Sequence, residues 1–401
     1  MLTRGNSPRV RVSGESSPKR FLVFDIDGAS VGAAAVDITG SESPKILFTG
    51  REELPLRDVF DPARNISEVL DRLERVSAEA AKHFAQSADR ITFFLATPYV
   101  ASQSRIVRTS FGAPKRIEHA LLSDIVKKQI DQFIHGELAA HSAPRDEQEL
   151  LEAKVMGVRL NGYDTPAPAG KSASEIELAL YASMMSSSVA QRLKRATLAH
   201  FPHTPVDLHS RIFGLFHAIR AVSVDESYMI IDIRADVTDM AIIKHGVLVD
   251  TISHPVGENT IFRSLARELG VPLALAASSL TMLSHGSAHD AEHMRVRSAL
   301  EAARVDWTSG LGGILRETLE EYMLPAQMYV YASALTGPFF KEFLANAEFS
   351  NHAALTDPFR VTLVDCELFT QRVRFASKDD DVLLGSLALA SDPLCTPIFS
   401  W

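Results

Sequence analysis

Apolar residues in this chain fall into short unbroken runs that alternate with stretches in which they recur every three or four positions, the pattern of buried strands interleaved with amphipathic helices. Residues 21–27 (FLVFDID) form the first run and residues 31–38 the second, and the Gly28-Ala29-Ser30 spacer predicts a hairpin with Gly28 at its turn. Over residues 64–86, Ile66, Val69, Leu70, Leu73, Val76 and Ala80 share one helical face, and residues 91–96 return as a buried strand. Strands framing a helix predict an α/β layer. Residues 112–206 read as a separate small α+β unit: a helix from Lys115 to about residue 134, strands over 150–160 and 174–182, and a helix over 189–199.

From residue 206 the first pattern returns in outline, with a strand, a helix over 211–222, a strand over 228–233, a tight turn and a strand over 237–243. Two apolar strands carrying aspartate at their ends, Asp25 and Asp232, each open a hairpin, and the recurrence predicts a duplicated architecture. Three helical stretches follow between residues 260 and 322, then a strand at 328–331, a helix from Pro338, a strand at 361–364 and a last helix over 382–390. Gly310-Leu-Gly-Gly313 has no strand before it and reads as helix punctuation rather than a dinucleotide loop. Phe339, Phe340 and Phe343 read as core.

Composition narrows the function. The 401 residues hold 41 Lys+Arg against 50 Asp+Glu, a net charge of -9, with 46% hydrophobic residues, which suits two or more domains with real cores. An acidic balance argues against a general nucleic-acid partner, since phosphate neutralisation needs clustered Lys and Arg. Such residues gather only in the first 20 positions (Arg4, Arg9, Arg11, Lys19, Arg20), among Ser, Gly and Pro, where a disordered tail is expected. No run approaches the roughly 18 apolar residues of a membrane span and no signal-peptide pattern opens the chain, so a cytoplasmic location is expected. Cys366 and Cys395 show no metal-ligand spacing. His285, His289 and His293 recur every four residues, as ligands on a helix would, but Gly286 and Ser287 favour a solvated loop and helix start, and no metal is expected.

A strand that ends in aspartate before a sharp turn can serve a phosphate ligand twice over: the turn's N–H groups cradle phosphate oxygens, and the carboxylate holds Mg²⁺ through water. Aspartates also simply cap turns. The order of elements resembles the actin-like ATPase superfamily, in particular the branch containing FtsA and PilM, which carries an extra subdomain between the two hairpins. The resemblance rests on Asp232-Ile-Arg-Ala-Asp-Val-Thr-Asp239, Gly246-Val-Leu and His254-Pro-Val-Gly257-Glu-Asn259, similar to the second phosphate motif and the segment after it. Residues 21–30 are similar to the first motif and residues 152–171 to the inserted subdomain. It implies a two-lobed α/β, actin-like (RNase H-like) fold with duplicated β-hairpin/α units and a small inserted α+β, SHS2-like subdomain. On that division residues 1–20 are a tail, 21–111 with 207–224 the first lobe, 112–206 the insert, 225–376 the second lobe (258–325 mostly helical), and 377–401 a terminal helix and tail.

The resemblance implies ATP and Mg²⁺ as cleft ligands, with Asp25, Asp27, Gly28, Asp232, Arg234, Thr238, Asp239 and Gly257 at the positions facing them. The chain departs from the family at several of these. Glycine two positions after the first aspartate is Asp27, and the glycines of the second motif are Arg234 and Ala235. The adenosine turn reads Ala332-Ser333-Ala334, and the helix that offers Glu and Lys to the nucleoside matches residues 277–281, which hold neither. A side chain in place of glycine blocks the approach of phosphate to the backbone. Asp27 would add a like charge, costing about 1 kcal/mol at about 4 Å in water and about 4 at an effective dielectric of about 20.

These departures predict a degenerate cleft without turnover, in which Asp27 and Arg234 pair across the two hairpins. The function then implied is a cytoplasmic scaffold at the inner face of the cytoplasmic membrane, held by the cytoplasmic tail of a pilus membrane protein (PilM-like) or by the division ring (FtsA-like), with self-association open. The stretch from Cys395 to Trp401 is short and uncharged for a membrane-binding helix, which favours the PilM-like role. The rival is an active ATPase or small-molecule kinase, with Asp239 as its base.

Overall fold

The computed structural model describes residues 19–38, 43–58, 61–83, 88–135, 147–284, 290–321, 323–346, 358–377 and 380–391. Its first sheet is built from β1 (Lys19–Ile26), β2 (Ser30–Ile38), β3 (Lys45–Glu53), β4 (Arg90–Leu95) and β9 (Val206–Ser210), in the order β3-β2-β1-β4-β9. The second uses β10 (Tyr228–Arg234), β11 (Val237–Lys244), β12 (Val247–His254), β13 (Gln327–Tyr331) and β14 (Arg360–Leu363), in the order β12-β11-β10-β13-β14. Each is an antiparallel meander of three strands continued by two parallel ones, so the expected duplication is present at the level of topology.

Strands alternate their side chains between faces, and both faces of each sheet are covered. On the first sheet, Leu22, Phe24 and Ile26 pack under α1 (Pro62–Ala81), which presents Ile66, Val69, Leu73 and Val76. On the second, Met229, Ile231 and Ile233 pack beneath a helical layer of α5 (Glu258–Leu269), α6 (Leu273–Ser284), α7 (Asp290–Glu321) and α8 (Gly337–Ala345). The two remaining faces look toward each other. Between them lie α4 (Arg211–Arg220), buried along its length up to Ile219, and α10 (Val382–Ala390), buried from Leu383 to Leu389, both mostly apolar on every side because nearly every side is covered. Phe21 and Val23 from β1 and Tyr228 and Ile230 from β10 join this shared core. The next residues along the same two rows are Asp25 and Asp232, so the alternation that buries the apolar residues also turns both carboxylates toward α4.

The third sheet, in the order β5-β8-β6-β7, comprises β5 (Val100–Arg116), β6 (Gln148–Leu160), β7 (Tyr163–Asp164) and β8 (Ser172–Ser186), with α2 (His119–His135) packed on it through Leu122. It differs from the expected insert in two ways. The boundary at residue 112 falls inside β5, because Lys115 and Arg116 continue the ladder to β8 and the helix starts only at His119. α3 (Ser187–Leu198) lies outside the third sheet's core, its Ala190 and Leu193 packing with α1 and the first sheet. β3 and β12 were not among the expected strands: each holds only three consecutive apolar residues, Ile46–Phe48 and Val247–Val249, before continuing polar and half-exposed. Gly310 and Gly313 do not punctuate a helix; α7 runs through both, and at Gly310 a Cβ would stand 2.9 Å from His254 Nε2. α10, the expected terminal helix, belongs to the shared core, and α9 (Cys366–Phe369) is one further short turn of helix before it. Phe340 and Phe343 pack at a tilt against buried Trp307, as expected of core. The tail over residues 1–18, the histidine spacing that begins at His285, and residues 392–401 lie outside the described residues, while Lys19 and Arg20 already belong to β1.

One buried base makes the shared core sensitive to acid. His217 on α4 is wedged edge-on against Phe213 with ring centroids 4.5 Å apart, and its Nε2 has no partner among the described residues. Burial, reinforced by the charges of Arg220, His209 and Lys154, pushes its pKa down to about 4. The unfolded chain takes up this proton near the ordinary value of 6.5, whereas the folded chain takes it up only near 4. The stabilisation from neutral His217 is therefore complete above pH 6.5 and lost as pH falls toward 4, an expected change of about 3 kcal/mol. Urea unfolding at pH 7.5 and pH 4.5 checks this: His217→Leu should lack that part of the pH dependence.

Candidate ligand cleft between the two hairpins

The first hairpin presents a row of side chains across three strands. Asp25 on β1 pairs in register with Gly32 on β2, and Gly32 with Arg51 on β3. Because Gly32 has no side chain, the Arg51 guanidinium lies over it; a Cβ there would stand 2.7 Å from Nη2. Arg51 Nη2 donates to Asp25 Oδ2 at 2.9 Å, Nη1 to Ser30 Oγ at 2.7 Å and Nε to Asp381 Oδ2 at 2.6 Å. Asp381 also caps α10 by accepting from Leu384 N–H, so this arginine ties the hairpin to the helix of the shared core.

The turn that follows is closed by its own acid. Asp27 Oδ1 accepts from the N–H groups of Ala29 and Ser30, both at 2.8 Å, and the Asp27 N–H donates to the Ser30 carbonyl at 3.1 Å. Its other oxygen, Oδ2, accepts from Arg211 Nη1 at 2.9 Å. Burial by itself would raise this carboxyl's pKa, but the Arg211 guanidinium, helped by Arg234, Arg51 and the Ala29 N–H, holds it down at about 2.

Arg211 is the first residue of α4 and is only 1% exposed. Its Nη1 also donates to Asp25 Oδ1 at 3.1 Å and its Nε to Asp232 Oδ2 at 2.7 Å, so one planar fork joins the two hairpins. Burial opposes its charge, yet Asp232, Asp25 and Asp27 together drive its pKa well above the usual guanidinium value. The insert steadies the start of α4: Glu152 on β6 accepts from Ser210 N–H at 3.0 Å and lies 3.0 Å from His209 Nδ1, while Tyr181 on β8 bonds Ser210 Oγ.

On the second hairpin, Asp232 stands directly opposite Asp239. Arg234 Nε donates to the remaining Asp232 oxygen at 3.1 Å. Asp239 shares that face of the sheet but accepts from Ser253 Oγ at 2.5 Å and Thr97 Oγ1 at 3.0 Å; burial is the main reason that its pKa is raised, and the neighbouring Asp232 charge adds to it. Thr238 Oγ1 donates to the Val256 carbonyl at 2.6 Å, and Gly257, at the start of α5, lets that helix meet the hairpin turn backbone to backbone. The Asn259 N–H near the same end donates to the Ala235 carbonyl at 2.7 Å. Outside the charged cluster a cavity of about 310 Å³ opens between the lobes, lined among others by Gly28, Glu53, Arg57, Glu258, Phe262 and Leu335.

All eight expected residues thus gather around the two hairpins, but the pairing between them differs from expectation. Asp27 and Arg234 do not pair: Asp27 holds Arg211, and Arg234 folds back on Asp232 of its own strand. The physical reason is reach, since Arg211 enters from the core between the hairpins and its fork spans both, whereas Arg234 sits at a strand end with its nearest acid two residues away. Nor does Asp27 stand beside a phosphate as a mere like charge, because it takes the very N–H groups a phosphate would need. At the first hairpin the residues do not fit Mg²⁺ and a phosphate: the Ala29 and Ser30 N–H groups already end on Asp27, and where Asp25, Asp27 and Asp232 converge the cation is Arg211; across the cleft the Asn259 N–H is taken by the Ala235 carbonyl. Among the described residues no cluster of His, Cys, Asp and Glu is placed to hold a metal ion. Sequence reasoning missed Arg51, Arg211 and Asp381. Arg211 did leave a signal, a charge at the head of a helix whose next eight residues are apolar except for His217.

The duplicated sheets, the helices between them and the inserted sheet complete the comparison. The chain has the actin-like ATPase fold. It aligns with PilM in the structure of the PilM–PilN type IV pilus biogenesis complex with a TM-score of 0.62 and 13% identity, over 92% of this chain and 96% of that one. More distant are the ethanolamine utilization protein EutJ from Carboxydothermus hydrogenoformans, at TM-score 0.46 and 13% identity over 93% and 89% of the two chains, and a Bacteroides thetaiotaomicron protein of actin-like ATPase fold and unknown function, at 0.37 and 9% over 92% and 95%. By sequence, the chain matches no protein-family profile and no curated protein. Among the described residues no helix is long and apolar enough to cross a membrane.

Proposed function

We propose that this chain is a PilM-like scaffold: an actin-fold protein that docks at the inner face of the cytoplasmic membrane through the cytoplasmic segment of a membrane protein, and that does so without nucleotide turnover. The observation that carries the second half is the occupied cleft, in which Arg211 bridges Asp25, Asp27 and Asp232. The first half is supported by the alignment with PilM along nearly the whole of both chains. An active ATPase or kinase would need an acid aimed at a substrate, and Asp239 is instead buried between Ser253 and Thr97.

Two measurements test this reading. Millimolar Mg-ATP should leave the thermal midpoint of the purified chain unchanged, whereas a ligand at 100 times its dissociation constant would add about 2.7 kcal/mol. An upward shift, or phosphate release that disappears in Asp232→Ala, would replace the scaffold with an ATPase. Photocrosslinking in cells should yield an inner-membrane protein whose cytoplasmic segment binds the chain as a synthetic peptide; retention of the purified chain on bare liposomes would count against docking through a partner.

A further inference from the structure

We propose that Asp27 and Arg211 together are a built-in ligand of the cleft, a tethered anion seated on the turn donors and a tethered cation seated among the carboxylates, which closes the two lobes with no small molecule bound. The inference deepens the scaffold reading, on which it rests, by stating what governs the same site.

Each half has the contacts a free ion would make. Successive backbone N–H groups at a tight turn form a concave anion site. Here the N–H groups of Ala29 and Ser30 both end on Asp27 Oδ1, and Ser30 Oγ approaches the same oxygen at 3.4 Å. A cation between two hairpins needs acids from both, and Arg211 takes two from the first and one from the second. Asp27 Oδ2 and Arg211 Nη1 then meet each other at 2.9 Å, as a bound anion and its counter-ion would. The outer acids are occupied as well, Asp25 and Asp381 by Arg51 and Asp232 by Arg234. Both halves are buried, so salt in solution screens them little. A diffusible ligand is used up or diluted, but this one is present at fixed stoichiometry in every molecule. Closure would therefore be a constant property of the fold, and the neighbouring 310 Å³ cavity would remain open beside a sealed phosphate position.

Hydrogen exchange on the unsubstituted chain tests this without any variant. The Ala29 and Ser30 amides should be protected in the absence of ligand and unchanged by Mg-pyrophosphate. Rapid exchange that becomes protected only when pyrophosphate is added would overturn the proposal. Substitution tests the anion half: Asp27→Gly frees both donors and should bind Mg-pyrophosphate at least about tenfold more tightly than the unsubstituted chain, the worth of about 1.4 kcal/mol. Asp27→Asn keeps the acceptor on the two N–H groups and should show no such gain. An equal gain in both variants would mean that charge alone, not occupancy of the donors, had excluded the anion, and no gain in either would mean that the turn is not an anion seat; both results overturn the proposal. These outcomes are separate from failure of the scaffold reading, which would appear as Mg-ATP binding or hydrolysis by the unsubstituted chain.

Discussion

Arg211→Met should destabilise the protein by about 3–5 kcal/mol at neutral pH, the range for removing one partner of a buried ion network. Methionine fills much of the volume of the arginine stem, so the loss is electrostatic rather than a cavity effect. Three buried acids lose a partner, but unequally: Asp25 keeps Arg51, Asp232 keeps Arg234, and Asp27 keeps no ion-pair partner within salt-bridge distance, only the N–H donors of its own turn and the Ser30 hydroxyl. Asp27 therefore carries the clearest signature. Its depressed carboxyl pKa, about 2 against an ordinary 3.8, contributes stability above the unfolded value that is lost as pH falls through the folded one. Arg211→Met removes the main cause of the depression, so its deficit in urea unfolding should be full at pH 7 and narrow as pH falls below about 4. A deficit of the same size at pH 7 and pH 3 would mean that Arg211 acts by packing instead.

Gly257→Ala is expected to cost about 3 kcal/mol, at the upper end of overpacking effects. The added Cβ would lie 1.9 Å from the Arg234 carbonyl oxygen, 2.5 Å from that of Ala235 and 2.6 Å from the Val237 nitrogen. All three are backbone atoms and cannot swing aside. Backbone strain is not the cause, since φ at Gly257 is -132° and any residue adopts that value. Relief would require α5 to move off the hairpin, breaking the Asn259 N–H bond to Ala235 and loosening Ile261 and Leu265 from the second core. A urea midpoint that drops without a change in slope would support this; an unchanged midpoint would show that the turn can yield. The role differs from that implied by family resemblance, since Gly257 here admits a neighbouring backbone rather than a phosphate.

Much of the architecture was legible because it is encoded locally. Runs such as FLVFDI and YMIIDI are apolar on both faces, and only strands covered on both sides bury them. Elements that escaped notice were those with mixed patterns: β3 reads KILFTGREE, and its half-exposed face conceals the strand that delivers Arg51. The long edge strand β5 is exposed in its far half and carries little periodic signal there, so Lys115 and Arg116 read from sequence as the start of the helix that begins only at His119. At the cleft, Asp25, Asp27, Asp232 and Arg234 were identifiable as chemistry-bearing, but their pairing was not.

The family resemblance points to the loss of glycine where a phosphate would approach; from sequence alone come the two hairpins, their duplication and the sharing of one row by Asp25 with Phe21 and Val23 and of another by Asp232 with Tyr228 and Ile230. These depend on alternation and local sterics, which act over a few residues. Which cation would answer those acids was decided only by the tertiary structure. Arg211 lies 186 positions from Asp25 and 21 from Asp232, and it meets both because α4 is buried between two sheets that its own position in the chain does not specify. A buried charge announces that it must have partners. Only the packing of the surrounding layers says which ones.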